Sequence, residues 1–179
     1  SGTTVYGNSF RTVTYGVIIG GGRDNNVENN VFVACDHPVR VDGRGIGWAK
    51  ANTAPGGPWH MYERLTSVPF DRAPYRSRYR GLSTILRDDP ALPKGNVIRR
   101  NIAADKNWLA FSDGVDSLGI VAIHDNIVDK NPGFTNPGIG DCRLARRARA
   151  FASGFRPIPY DRIGLHVDEY RSKAPGELP

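Results

Sequence analysis

Apolar residues fall in short runs bounded by Gly, Asn or Asp: Val17-Ile18-Ile19, Val31-Phe32-Val33-Ala34, Val39-Arg40-Val41, Asn96-Val97-Ile98, Trp108-Leu109-Ala110-Phe111 and Ile120-Val121-Ala122-Ile123. Short runs rich in β-branched residues between turn formers predict strands. Asparagine keeps phase with them. In Tyr6-Gly7-Asn8-Ser9-Phe10, Glu28-Asn29-Asn30-Val31-Phe32, Arg99-Arg100-Asn101-Ile102-Ala103 and His124-Asp125-Asn126-Ile127-Val128, an Asn stands one or two residues before an apolar strand position. Asn8 and Asn30 are 22 residues apart, Asn101 and Asn126 are 25 apart, and Asn30 and Asn101 are 71 apart. The last interval is one coil plus an insertion of about 49 residues. A period of this size with β-type runs predicts an all-β solenoid, the parallel β-helix. One coil cannot bury its own apolar face, whereas stacked coils bury a continuous column and pair strands about 4.8 Å apart. Asn at the same corner of each coil can bond neighbouring backbone through its amide and tolerates left-handed geometry. A β-sandwich also has short strands and frequent turns, but the repeated Asn phase argues against it.

Coils are expected over residues 1–130, interrupted by a long loop at 43–94. That loop holds Pro55-Gly56-Gly57-Pro58 and the aromatics Trp48, Trp59, Tyr62, Phe70, Tyr75 and Tyr79. Loops of this length inside a domain are functional or disordered, and the aromatic content favours folding over one face of the solenoid. Residues 131–179 are turn-rich with spaced apolar anchors and are expected to cap the last coil, since a solenoid end exposes unpaired strands. No comparable cap precedes Asn8, so an N-terminal β-helix portion, from the same or another chain, is an expected partner. The best helix candidate is residues 144–152, one or two turns.

Composition narrows this only a little. Of the 179 residues 39% are hydrophobic, enough for a core, and no stretch is long and apolar enough to span a bilayer. Lys and Arg number 24 against 18 Asp and Glu, a net charge of +6. This favours acidic partners. Arg143, Arg146, Arg147, Arg149, Arg156, Arg162 and Arg171 crowd the C-terminal third, but the run from Arg143 to Arg149 has no interleaved aromatics, so nucleic acid is not an expected partner. Two cysteines, Cys35 and Cys142, make neither a disulfide framework nor a zinc site and read as buried thiols.

The segments Ile18-Ile19-Gly20-Gly21-Gly22-Arg23-Asp24-Asn25, Val41-Asp42-Gly43-Arg44-Gly45-Ile46-Gly47-Trp48-Ala49-Lys50, Asp88-Asp89-Pro90-Ala91-Leu92-Pro93-Lys94-Gly95-Asn96, Asn131-Pro132-Gly133-Phe134 and Asp161-Arg162-Ile163-Gly164-Leu165 carry a resemblance over nearly the whole chain. Together they resemble bacterial carbohydrate-active proteins with a right-handed parallel β-helix. The resemblance implies a glycoside hydrolase or, second, a polysaccharide lyase, located outside the cell or in the periplasm. It also implies a C-terminal portion of a longer protein acting on a polysaccharide or oligosaccharide.

The candidate chemistry starts where the chain leaves the solenoid. Asp42 and Arg44 close a predicted strand and open the long loop. Asp24 and Glu28 precede Asp42 by 18 and 14 residues, roughly one coil. Carboxyls on adjacent coils would lie about 5 Å apart, the separation of a retaining glycosidase pair. Asp24 and Asp42 are therefore the expected acid–nucleophile pair, although Asp24 also suits a plain turn residue. Trp48 and Trp59 offer faces for sugar rings, and His60 a neutral-pH acid or base. Arg44 and Lys50 offer partners for a uronate carboxylate. These five are the expected substrate-binding residues. No His, Asp or Glu cluster has metal-ligand spacing, so no cofactor is expected; a calcium site from Asp residues on separate coils is possible in principle but unsupported by the sequence. A non-catalytic β-helix module that binds glycan or supports assembly is the alternative.

Overall fold

The computed structural model describes residues 2–104, 106–136, 141–164, 167–170 and 172. The chain is mostly β, with stacked parallel sheets and few helices, an arrangement compatible with a parallel β-helix. Strands β1 (Thr4–Tyr6), β4 (Asn26–Glu28), β7 (Asn96–Arg99) and β10 (Val121–His124) form a first sheet. A second holds β2 (Ser9–Arg11), β5 (Val31–Val33), β8 (Ile102–Ala103) and β11 (Ile127–Val128). A third holds β3 (Tyr15–Gly20), β6 (His37–Asp42) and β9 (Leu109–Phe111). All these pairings are parallel, and the chain visits the three sheets in turn.

Register stacks like on like. Val5 pairs with Val27, Val27 with Ile98 and Ile98 with Ile123. Phe10 lies flat on Phe32, with ring centroids 4.9 Å apart and 6° between planes. In the third sheet Val17 pairs with Val39, Ile19 with Val41, and Val39 and Val41 with Leu109 and Phe111. Val27, Phe32, Val39, Val41 and Ile98 are at most 1% exposed, so each turn closes the face its neighbour leaves open.

The corner between the first and second sheets explains the asparagine phase. Gly7, Asn29, Arg100 and Asp125 all have φ between 54° and 70°. The left-handed residue is thus the one before the phased asparagine, not that asparagine itself. The bend turns the next backbone N–H along the stack, away from any strand partner. The N–H groups of Asn8, Asn30 and Asn101 instead donate to Oδ1 of Asn30, Asn101 and Asn126, each at 3.0 Å. The side-chain amides of the same three residues donate to the same oxygens at 3.0 Å. A second, shorter ladder stands at the corner entering the first sheet. There the N–H of Asn25 donates to Oδ1 of Asn96 at 2.9 Å, behind left-handed Asp24 and Gly95.

Arg100 is a bulky residue in a left-handed corner, a conformation that costs about 1 kcal/mol. Its guanidinium donates to Oε1 of Glu28 at 2.9 Å, while Arg99 and Asn26 donate to Oε2 at 3.0 and 2.9 Å. Burial would raise the Glu28 carboxyl, but these bonds outweigh it and hold it below its ordinary value.

One expectation changes. The helix candidate at 144–152 is instead the end of β13 (Asp141–Leu144) and a 3-10 turn at Arg149–Phe151. The helices lie in the insertion: α1 (Lys50–Thr53), α2 (Met61–Thr66), α3 (Tyr75–Arg78) and a 3-10 segment at Arg80–Arg87. Segments of one or two turns carry too few positions to show a helical period. The C-terminal segment, with β12 (Phe134–Asn136) antiparallel to β13, lies on the side of the stack. Its Phe134, Cys142, Ala150, Phe155 and Ile158 pack on Val31, Ile102 and Ile127 of the second sheet. Asn29 clasps it, accepting from the N–H of Arg156 at 2.6 Å and donating to its carbonyl at 3.0 Å. Ile123 and Val128, in register with buried Ile98 and Ala103, keep 42% and 39% of their surface. The described residues of the C-terminal segment thus pack on the flank of the stack. Cys35 and Cys142 are both buried.

Asn101→Ala strips two acceptor bonds from Asn30, which is fully buried, and should cost about 3 kcal/mol, against about 1 for the edge change Asn8→Ala; denaturant midpoints measure both. Glu28 contributes stability that is fully present above its ordinary value of 4.5. It is lost as pH falls through the lower folded value, because the unfolded chain then binds the proton more readily. Glu28→Gln should therefore flatten the fall in stability below that pH, read by urea titrations at stepped pH.

Candidate functional site

The third sheet ends at the pair Gly20 and Asp42, and the chain departs into the insertion at the next residue. Asp42 Oδ1 accepts the N–H of Arg44 at 2.7 Å, a local turn that sends the chain outward. Arg44 folds back on the same carboxylate, Nη2 to Oδ2 at 3.1 Å. Its side chain then lies across Gly20 and Gly21. A Cβ on Gly20 would sit 2.7 Å from Nη2, and one on Gly21 3.0 Å from Cγ. The two glycines leave the room that the guanidinium occupies.

Arg44 is also held from above. Its Cζ lies 5.6 Å from the centroid of Trp48, and Trp48 meets Trp59 edge to face at 5.8 Å. Trp48 remains 62% exposed. Beside this stack is a cleft of about 400 Å³. Gly20, Gly21, Arg44 and Gly45 form one wall; Trp59, Met61, Tyr62 and Leu65, with Thr53, form the next; Ile85, Leu86, Pro90 and Ala91 close it. Arg44 is the charged group among these lining residues, and no carboxylate is among them.

The insertion is pinned where it returns. Arg23, 9% exposed, pairs with the Asp88 carboxylate and donates to the carbonyls of Asp88 and Asp89 at 2.7 and 3.1 Å. Lys94 reaches Asp88 at 2.6 Å and Asp89 at 2.8 Å. Lys94, then Arg23, holds the Asp88 carboxyl below its ordinary value; Asp88 and then Asp89 push Lys94 up.

Four of the residues singled out by sequence, Asp42, Arg44, Trp48 and Trp59, thus form one contiguous group. The others stand apart. Lys50 is exposed at the start of α1, and His60 is exposed in a left-handed conformation just before α2. Neither lines the cleft. Asp24 is an exposed left-handed corner residue whose carboxylate lies over Gly95, where a Cβ would meet Oδ1 at 2.2 Å. The position one turn before Asp42 is Gly20, not Asp24. The coil-to-coil spacing that suggested a pair therefore does not apply to these two carboxylates. Sequence reasoning did not single out Met61, Leu65, Ile85 and Leu86, whose apolar character is ordinary until the helices bring them together, nor the Arg23 clamp.

Gly20→Ala should displace the flexible end of Arg44 and cost no more than about 1 kcal/mol, with a change in tryptophan emission as the guanidinium leaves Trp48. Gly45→Ala meets the Ala91 carbonyl at 2.4 Å, a backbone clash. It should cost about 2–3 kcal/mol in the same denaturation experiment.

The chain was compared with known proteins at three levels: no protein-family model, no curated protein and no solved structure matches it.

Proposed function

We propose that the three sheets form a right-handed parallel β-helix of the carbohydrate-active kind and that the chain binds a polysaccharide or oligosaccharide in the cleft beside Gly20 and Gly21. Right-handedness follows from the strong preference of crossovers between parallel strands. A location outside the cell or in the periplasm goes with this reading. The observation that carries it is the cleft itself: aromatic walls at Trp59 and Tyr62, and one guanidinium fixed by Asp42 and Trp48. Sugar rings present C–H faces to aromatic side chains and hydroxyl oxygens to donors, and such a cleft offers both.

Binding is better supported than hydrolysis. Glycosidases flank the scissile bond with two carboxyls about 5 Å apart or roughly 6.5–9.5 Å apart. Asp42 is 8% exposed and committed to Arg44, and Asp24 faces Gly95. Asp42 therefore acts here as a positioning residue for the arginine.

Titration of oligosaccharides against tryptophan fluorescence should show saturable binding, with affinity at least about tenfold lower in Trp59→Ala. Asp42→Asn should lower affinity by loosening Arg44, with no release of reducing ends by either protein. Reducing ends released by the parent chain and abolished in Asp42→Asn would establish the hydrolase instead.

A further inference from the structure

The insertion carries a second feature that the cleft does not use. Residues 61–87 hold six arginines, Arg64, Arg72, Arg76, Arg78, Arg80 and Arg87, against Glu63 and Asp71. All six are exposed, as is every residue from 71 to 81. Arg72 lies 4.0 Å from Asp71, both open to solvent, which is a weak pairing. Arg76, Arg78 and Arg80 have no ion-pair partner among the described residues; Arg78 instead stands over Tyr79 at 5.9 Å. Tyr75 and Tyr79 remain 39% and 42% exposed between them.

This strip is fixed to the scaffold. Tyr79 packs over Gly2, where a Cβ would lie 2.9 Å from its ring, and a Cβ on Gly81 would lie 3.8 Å from Oδ2 of Asp24. The 3-10 segment that begins at Arg80 runs on to Ile85 and Leu86 in the cleft wall. A polymer seated in the cleft and extending past that wall would meet the arginines. Holding like charges together in one exposed segment costs repulsion, which an anionic ligand would remove.

Resting on the glycan-binding reading, we infer that Arg72, Arg76, Arg78 and Arg80 with Tyr75 and Tyr79 form an accessory surface for an acidic polysaccharide, whose carboxylates pair with the guanidinium groups while its rings lie on the tyrosines. The strip selects anionic chains; the cleft holds the sugar. Continuity with an aromatic-walled cleft whose one guanidinium is paired with Asp42 favours a glycan over a nucleic acid.

The test uses the full chain and three polymers: polygalacturonate, a neutral glucan and single-stranded DNA. Polygalacturonate should bind most tightly and should weaken steeply at about 1 M salt, where screening acts over about 3 Å. The triple variant Arg76→Gln, Arg78→Gln, Arg80→Gln should lose about tenfold in affinity for it at low salt, with an unchanged denaturation midpoint. Arg143→Gln, Arg146→Gln, Arg147→Gln removes the same charge elsewhere and should lose less than twofold. Equal losses in the two triple variants, or no loss in the first, would overturn the inference, as would neutral glucan bound as tightly as polygalacturonate. Tighter binding of DNA would overturn it in favour of a nucleic-acid surface. Failure of the cleft is separately visible: Trp59→Ala would then leave glycan binding untouched while the strip variant still reduced it.

Discussion

A chain that passes in turn through three stacked parallel sheets must satisfy the backbone amides that its corners rotate out of those sheets, and the rest of this structure depends on how it does so. At the corner after the first sheet a left-handed residue makes the bend and the following asparagine supplies the missing acceptor to the turn before it. One oxygen accepts both a backbone N–H and a side-chain N–H, while the amide nitrogen returns bonds to carbonyls such as Val5 and Val27. Each asparagine therefore holds two turns in register. Since buried Asn30 and Asn101 have no water to fall back on, the register is fixed before the apolar columns are considered.

The same corner carries the attachments. Glu28 and Asn29 stand beside it, and each does a second job: Glu28 neutralises Arg99 and Arg100, and Asn29 clasps the backbone of Arg156. The flank of the stack is thereby tied to the segment after β12, which buries the outward Val31, Ile102 and Ile127. Arg23 acts in the same way at the neighbouring corner, drawing the end of the insertion onto the scaffold through Asp88 and Asp89.

This division explains what was legible beforehand. Asparagine phase and β-branched runs betray the stack because every turn must repeat the same solution, and repetition is visible in one dimension. The interruption of the period falls where the strand of the third sheet ends, at Asp42. The helices α1 to α3 were not, since none buries a residue and each is too short to impose a pattern. The spacing argument for Asp24 and Asp42 counted 18 residues as one turn, whereas the strands pair across 22 residues and put Gly20 beside Asp42. The placement of the last segment on a flank was equally hidden. Spaced apolar anchors say that a segment docks, not which face receives it.

Two buried carboxylates, Glu28 and Asp42, invite catalytic readings, yet both are answered by arginines from their own scaffold. The burial of each is tolerable because its charge is matched. What Asp42 contributes is direction: it commits Arg44 to one place over Gly20 and Gly21, where a mobile side chain would otherwise spend its entropy. The repeated strands thus fix the exit, the turn fixes the arginine, and the inserted helices bring aromatic walls against it. On the proposed reading, recognition lies with the insertion, which the scaffold holds at its exit through Asp42 and at its return through Arg23.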